Sequence, residues 1–317
     1  MEGLTPEQIA SFHENGFLVL PSYLSAEEIT SLMGETTNLL ENFDLDSHPL
    51  TRFTTGDDEA DKTVKHVGDD YFLSSGDKIR FFFEPDAFSP TPDPATGRPT
   101  LLKPKHLSVN KIGHSLHSLS EPFKAVSLTA RNAAIARSLG FHDPRVLQSM
   151  VICKQPSIGG AVPSHRDSEF LYTNPPSAVG FWFALQDAKP GNATLGFWKG
   201  SHKGRNGGHI TRRFVRAAPE VGGTEFVPNE GPSLPRGAEE EELRKESDDD
   251  LEVLTVPAGS LVIIHGNVLH KSEKNTSPNS RYAYTFHVIE GADGWEYDER
   301  NWLQPPESGE GFSRLYN

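Results

Sequence analysis

Ser164-His165-Arg166-Asp167 is the stretch around which the chain is organised, taken together with His270 and Arg281. His165 and Asp167 are two residues apart. On a β-strand residues i and i+2 share a face, so this spacing predicts that both side chains reach one ion. A second imidazole from another strand, His270, would complete a two-histidine, one-carboxylate face. That ligand set leaves coordination positions open and suits non-haem Fe(II) enzymes that activate O₂. His-x-Asp alone is a weak signal, because such pairs recur by chance. Its surroundings strengthen it. Ile158-Gly159-Gly160 and Pro163 interrupt the chain before it, and Phe170-Leu171-Tyr172 returns the chain to apolar packing. The run Leu261 to Leu269 delivers His270 from a buried strand and a turn.

Bulk properties bound the reading. Of 317 residues, 35% are hydrophobic and 23% charged, as in a soluble globular protein. A formal net charge of −14 disfavours nucleic acid or an anionic membrane as partner, while leaving room for a local basic pocket. The single cysteine, Cys153, excludes an intramolecular disulfide framework and a cysteine-rich zinc site. Its strand-like flanks point to a buried, inert thiol. The N-terminus lacks the basic start and apolar run of a signal peptide, and no apolar stretch approaches membrane-spanning length. Arg314-Leu315-Tyr316-Asn317 is not a Ser-Lys-Leu address. A cytoplasmic protein acting on a small molecule is the expectation; oligomeric state is not legible.

Thr5-Pro6-Glu7-Gln8 is a helix start with a capping box, and Gly16 a stop before the strand Phe17 to Leu20. Ser25-Ala26-Glu27-Glu28 repeats the signal ahead of the stripe Ile29, Leu32, Met33, Leu39 and Leu40. Tyr71-Phe72-Leu73 and Ile79 to Phe83 are expected as strands, and 121–139 as one buried helix stopped by Gly140. From about 146 the texture becomes short apolar strands: 146–154, 161–167, 179–187, 194–198, 253–257, 260–265 and 281–289. Such spacing suggests a barrel or jelly roll, mainly β with flanking helices. The expectation is one domain over 1–317, with a helical and loop-rich part, 1–145, on a core at 146–290. Residues 203–252 interrupt the pattern and carry the acidic runs Glu239 to Glu242 and Asp248 to Asp250, which suggest a solvated loop insertion.

Arg281 opens the alternating run Arg281-Tyr282-Ala283-Tyr284-Thr285-Phe286-His287. Spacing leaves an inward arginine and a surface salt bridge equally open. Pointing inward, its planar fork would match the distal carboxylate of a dicarboxylic acid. With 13 histidines in the chain, most are not ligands. His114 and His117, at i and i+3, could pair on a helix but have no nearby carboxylate. His202 reads as a turn histidine bonded to backbone, and His265 and His287 as core or outer neighbours of the site. No Gly-x-Ser-x-Gly, P-loop or dinucleotide fingerprint is present.

At these residues the chain resembles the phytanoyl-CoA dioxygenase (PhyH) family of Fe(II)/2-oxoglutarate oxygenases. The likeness runs nearly end to end, through Asn15 to Leu20, Tyr71 to Phe83, Asn110 to His114, Gln148-Ser149-Met150, Lys154-Gln155-Pro156, His270-Lys271-Ser272 and Asn301 to Pro305. The resemblance implies a double-stranded β-helix (jelly-roll, cupin-like) core. It implies Fe(II) held by His165, Asp167 and His270, and 2-oxoglutarate anchored by Arg281, with Lys111, Met150 and Trp182 lining the co-substrate pocket. Trp182 also reads as a plain aromatic core residue. O₂ would be the oxidant and ascorbate a candidate activator. The products would be succinate, CO₂ and a substrate oxidised at an unactivated C–H. One departure from the family stands at Leu195-Gly196-Phe197-Trp198-Lys199, where Lys199 replaces proline and a glycine stands where larger side chains are common. Two rival readings are a non-catalytic or regulatory jelly-roll binding protein and a cupin-like metalloenzyme that does not use 2-oxoglutarate. The full triad with Arg281 speaks against the first, and Arg281 with Lys111 discriminates the second.

Overall fold

The computed structural model describes residues 3–54, 67–203, 210–229, 248–306, 309 and 311–316. Its first helix, α1 (Pro6–Asn15), starts as the sequence dictates. Thr5 Oγ1 accepts from the Gln8 backbone N–H at 3.2 Å, and the Gln8 side chain accepts from Thr5 N at 2.9 Å. Gly16, at φ 83°, ends the helix in the left-handed region. The chain then enters strand β1 (Phe17–Leu20), and a second capping box at Ser25 starts α2 (Ala26–Asn42).

Two local expectations are corrected. Tyr71-Phe72-Leu73 is not a strand but part of the short helix α3 (Asp70–Leu73). Asp69 caps it by accepting from Phe72 N at 2.8 Å, and this local bond outweighs the aromatic preference for a strand. Residues 121–139 form two helices after the short α4 (Leu116–Leu119): α5 (Glu121–Ser127) and α6 (Ala130–Ser138). Thr129 caps α6, and the Asn132 amide donates back to the carbonyls of Val126 and Ser127 that close α5. Buried side-chain bonds thus stabilise the break.

The remaining elements are β2 (Ile79–Phe83), β3 (Val109–His114), β4 (Pro144–Lys154), β5 (Val162–His165), α7 (Asp167–Phe170), β6 (Thr173–Asn174), β7 (Val179–Ala184), β8 (Leu195–Trp198), β9 (Arg212–Arg216), β10 (Thr224–Pro228), β11 (Leu251–Val253), β12 (Leu261–His265), β13 (His270–Ser272), β14 (Arg281–Glu290), β15 (Glu296–Tyr297) and β16 (Ser313–Arg314). The large antiparallel sheet runs β1-β12-β7-β14-β4-β3-β2, with β16 also on β4, and the smaller one β11-β8-β13-β5. Period-two alternation sorts their side chains. Phe181, Phe183, Ile263, Tyr284 and Phe286 pack in the cluster shared with the helices. Trp182, Ala184, Val262, Ile264 and Ala283 turn the other way and meet Leu195 and Phe197 of the small sheet. Fully burying each large side chain of this kind stabilises by about 1.5–3 kcal/mol. The result is a jelly roll whose two sheets enclose a cavity, with the helices behind the large sheet.

The described residues within 203–252 are not simply a loop. β9 and β10 pair as a hairpin, β11 pairs with β8, and Phe214 is buried in a cluster with Phe72, Leu171 and Trp302. Asp248–Asp250 form a 3₁₀ turn leading into β11. The run Glu239 to Glu242 lies outside the described residues. Among the described residues no helix is long and apolar enough to cross a membrane.

Candidate functional site

His165 is the last residue of β5, and His270 the first of β13, directly opposite it in the antiparallel ladder. Asp167 arrives by a different route from the one its spacing suggests. It does not continue the strand: the chain turns at Arg166, and Asp167 opens α7. The helical turn brings the carboxylate to the histidines all the same. Asp167 Oδ1 is 3.4 Å from His165 Nε2 and 3.8 Å from His270 Nε2, and one ligand atom from each of the three lies within 4.8 Å of the others.

Each ring is set by its far nitrogen. His165 Nδ1 faces the Pro163 carbonyl at 2.9 Å, and His270 Nδ1 faces that of Val268 at 3.1 Å. A carbonyl only accepts, so both Nδ1 atoms carry hydrogen and both Nε2 lone pairs are turned to the shared point. Burial pushes the Asp167 carboxyl up, but the imidazoles of His287, His270 and His165 outweigh it and hold the group well below the usual carboxylate range. Burial pulls His270 down to about 4. For His165 burial acts in the same direction, yet the adjacent Asp167 carboxylate favours the protonated ring, more than offsets burial and raises the group. An anionic carboxylate between two oriented imidazoles is a donor set that fits a divalent cation.

The cavity beside the triad, of about 160 Å³, is lined by Lys111, Met150, Trp182 and Arg281 as well as His165, Asp167 and His270. Arg281 points inward and is 1% exposed, which settles the choice left open by its spacing. Its Nε and Nη2 donate to the Ala193 carbonyl at 3.1 and 2.8 Å, whereas Nη1 is buried with no hydrogen-bond partner among the described residues. Burial pulls this guanidinium down to about 9. Lys111 reaches in from β3 with Nζ 3.2 Å from the centre of the Phe53 ring. Burial brings it down to about 7, with Glu84 opposing the shift.

Ser272, Thr285 and Gln148 also line the cavity and went unread in the sequence. Strand parity is the signal that finds them: Ser272 lies two residues after His270, Thr285 four after Arg281, and Gln148 two before Met150. His287 adjoins the site, with Nε2 3.3 Å from Asp167 Oδ2. His265 does not line the cavity. Ile264 takes that face of β12, and the His265 ring lies instead 4.7 Å from His202. His202 is held by the His13 carbonyl at 3.0 Å, a turn histidine as its context suggests. His114 and His117 form no metal pair: they lie on β3 and α4 and face Ser75 Oγ and Ser149 Oγ. Cys153 is fully buried, and burial pushes its thiol up. A Cβ on Gly196 would meet Leu251 Cδ1 at 3.1 Å, so this glycine makes room for β11 rather than for a ligand.

The cavity's other wall is aromatic, with Phe53, Phe72, Phe170, Phe214 and Trp302. The hairpin supplies part of it. Arg212 Nε donates to Glu169 Oε2 at 2.8 Å, and Phe214 packs on Phe170 with ring centres 5.3 Å apart, so β9 is braced against the helical turn that carries Asp167.

The profile of the family described as phytanoyl-CoA dioxygenase (PhyH) matches residues 12–283. A protein named phytanoyl-CoA dioxygenase domain-containing protein 1, from Bos taurus, is 43% identical over 308 residues, covering 96% of each chain. Among solved structures, the non-heme alpha ketoglutarate dependent epimerase SnoN superimposes with a TM-score of 0.56 at 12% identity, over 98% of this chain and 95% of its own. EctD from S. alaskensis, solved with bound Fe, gives 0.57 at 18% identity, over 95% and 83%. At such identities the two structures speak to the fold alone.

Proposed function

The chain belongs to the phytanoyl-CoA dioxygenase (PhyH) family, and from that membership we propose that residues 1–317 act as one Fe(II)- and 2-oxoglutarate-dependent dioxygenase domain. It oxidises an unactivated C–H of a small organic substrate. Bound Fe(II), with 2-oxoglutarate as co-substrate, supplies the activation of O₂, and succinate and CO₂ are released. His165, Asp167 and His270 would hold the metal.

The observation that carries this reading is the unpartnered, buried Nη1 of Arg281 in the same cavity as the triad. A buried guanidinium N–H without an acceptor is costly, and a carboxylate arriving there would relieve the cost. Lys111 adds positive potential, Thr285 and Ser272 offer hydroxyls, and Met150 and Trp182 give the co-substrate apolar walls. The aromatic wall on the other side excludes water and orients the substrate's C–H toward the metal position. The intact triad and the orphaned arginine together favour turnover over a binding-only role.

The test is anaerobic loading with Fe(II), then O₂, 2-oxoglutarate and a panel of small organic candidates. Succinate is quantified, and mass spectrometry seeks a gain of one oxygen. Protein that neither binds Fe(II) nor consumes 2-oxoglutarate under any condition would overturn the proposal.

A further inference from the structure

We propose that His287 is a positioning residue for Asp167. It holds the outer oxygen, Oδ2, so that Oδ1 alone is presented beside His165 and His270, and a coordination position stays free for a chelating 2-oxo acid. This rests on the reading of the triad as an Fe(II) site.

The two oxygens of Asp167 are divided between two sets of neighbours. Oδ1 faces the ligand histidines at 3.4 and 3.8 Å. Oδ2 is buried, has no well-formed hydrogen bond among the described residues, and has His287 Nε2 at 3.3 Å. A carboxylate oxygen accepts only, so the neutral ring places its hydrogen on Nε2, and Nδ1 becomes an acceptor. The donor for Nδ1 is in place: Gln148 Nε2 stands 3.4 Å away, directly opposite His287 in the β4–β14 ladder. On the other flank, Gly180 is directly opposite His287 in the β7–β14 ladder. A Cβ there would come within 3.3 Å of Asp167 Oδ2 and 3.4 Å of His287 Nε2. The missing side chain is the space in which these two groups meet. Three adjacent strands thus devote facing positions to one carboxylate oxygen.

The functional stake is denticity. A two-histidine, one-carboxylate site works because its other positions stay open. A carboxylate free to rotate can offer both oxygens to a metal and occupy one of them. Partners of metal ligands commonly change metal affinity or activity by about 10- to 100-fold when removed.

Three variants test the role: His287→Leu removes the donor, His287→Gln keeps an amide N–H near the Nε2 position, and Gln148→Met removes the donor to Nδ1. Each is loaded with Fe(II) without O₂ and titrated with 2-oxoglutarate. The readouts are metal stoichiometry, melting temperature and the visible absorption that a 2-oxo acid acquires on chelating Fe(II). His287→Leu is expected to bind one Fe(II) yet lose about ten- to a hundred-fold in 2-oxoglutarate affinity, with the absorption weakened. His287→Gln should restore most of it, and Gln148→Met should fall between. A folded His287→Leu with wild-type affinity and absorption overturns the role, as does a folded His287→Gln no better than leucine. If His287→Leu does not fold, a wild-type result for both other variants overturns it. Wild-type protein that takes up no Fe(II) sinks the iron site itself, and the role of His287 with it.

Discussion

His270 and His165 face each other directly across the β13–β5 ladder, with ring centres 4.3 Å apart. Sheet register, rather than nearness in the chain, brings the two imidazoles together. Phe197, on the other flank of β13, stacks on His270 with ring centres 5.5 Å apart and limits its rotation. The two rings are therefore placed before any ion arrives.

Replacing either ring tests the assignment of the metal site. His165→Ala and His270→Ala are each expected to lose stoichiometric Fe(II) binding and all iron-dependent consumption of 2-oxoglutarate, because two ligands seldom hold Fe(II) in a defined open geometry. Metal analysis of the folded variants reads this. One bound Fe with undiminished turnover in either would show that the site lies elsewhere.

Arg281→Lys keeps the charge and loses the fork. The KM for 2-oxoglutarate should rise by about five- to 150-fold, corresponding to about 1–3 kcal/mol for a charge-assisted contact, while Fe(II) affinity holds. An unchanged KM would move the carboxylate anchor away from Arg281, with Lys111 the first candidate.

Lys111 gives a pH signature. Burial lowers it from 10.5 to about 7, so it is charged below that value and progressively neutral above it. Its pull on a dicarboxylate should fade accordingly. The ratio of 2-oxoglutarate affinities, wild type over Lys111→Met, should fall by up to about tenfold between pH 6 and pH 8. The stability effect has the opposite sense. The buried charge destabilises the fold fully below about 7, and the penalty shrinks as pH rises toward 10.5. Lys111→Met should therefore raise the melting temperature most at pH 6 and progressively less at higher pH. A pH-independent affinity ratio would remove Lys111 from the co-substrate's surroundings.

Phe214→Ala tests whether the hairpin is part of the folded body. Truncating a phenylalanine this buried costs about 3–5 kcal/mol, readable as a shift in the denaturant midpoint. A loss under about 1 kcal/mol would make β9 and β10 peripheral.

The grouping of His165, Asp167 and His270 was legible because a histidine and an aspartate two apart, in that context and with a distant second histidine, suggest a shared site. The path to them was not. Asp167 reaches the site through a helical turn, and nothing in Arg166-Asp167-Ser168 announces that the strand stops at His165. The inward turn of Arg281 was equally hidden, since alternation fixes which residues share a face but not which face is the cavity. The hairpin was hidden for another reason. The charges of Arg212, Arg213 and Arg216 meet Glu169, Asp298 and the carbonyls of Leu73 and Trp302, partners far away in sequence. Long-range ion pairing of this kind leaves no local pattern.

β14 carries Arg281, Thr285 and His287 on one side and Tyr282, Tyr284, Phe286 and Val288 on the other. The consequence is a rule for how its gene can vary. Exchanging one codon there alters one contact. Losing a single codon between positions 282 and 286 would invert every later residue of the strand. It would set the aliphatic Val288 against Asp167 in place of His287 and bury the His287 imidazole among the helices. The strand therefore tolerates a change of letter far better than a change of length, whereas surface loops absorb insertions and deletions readily.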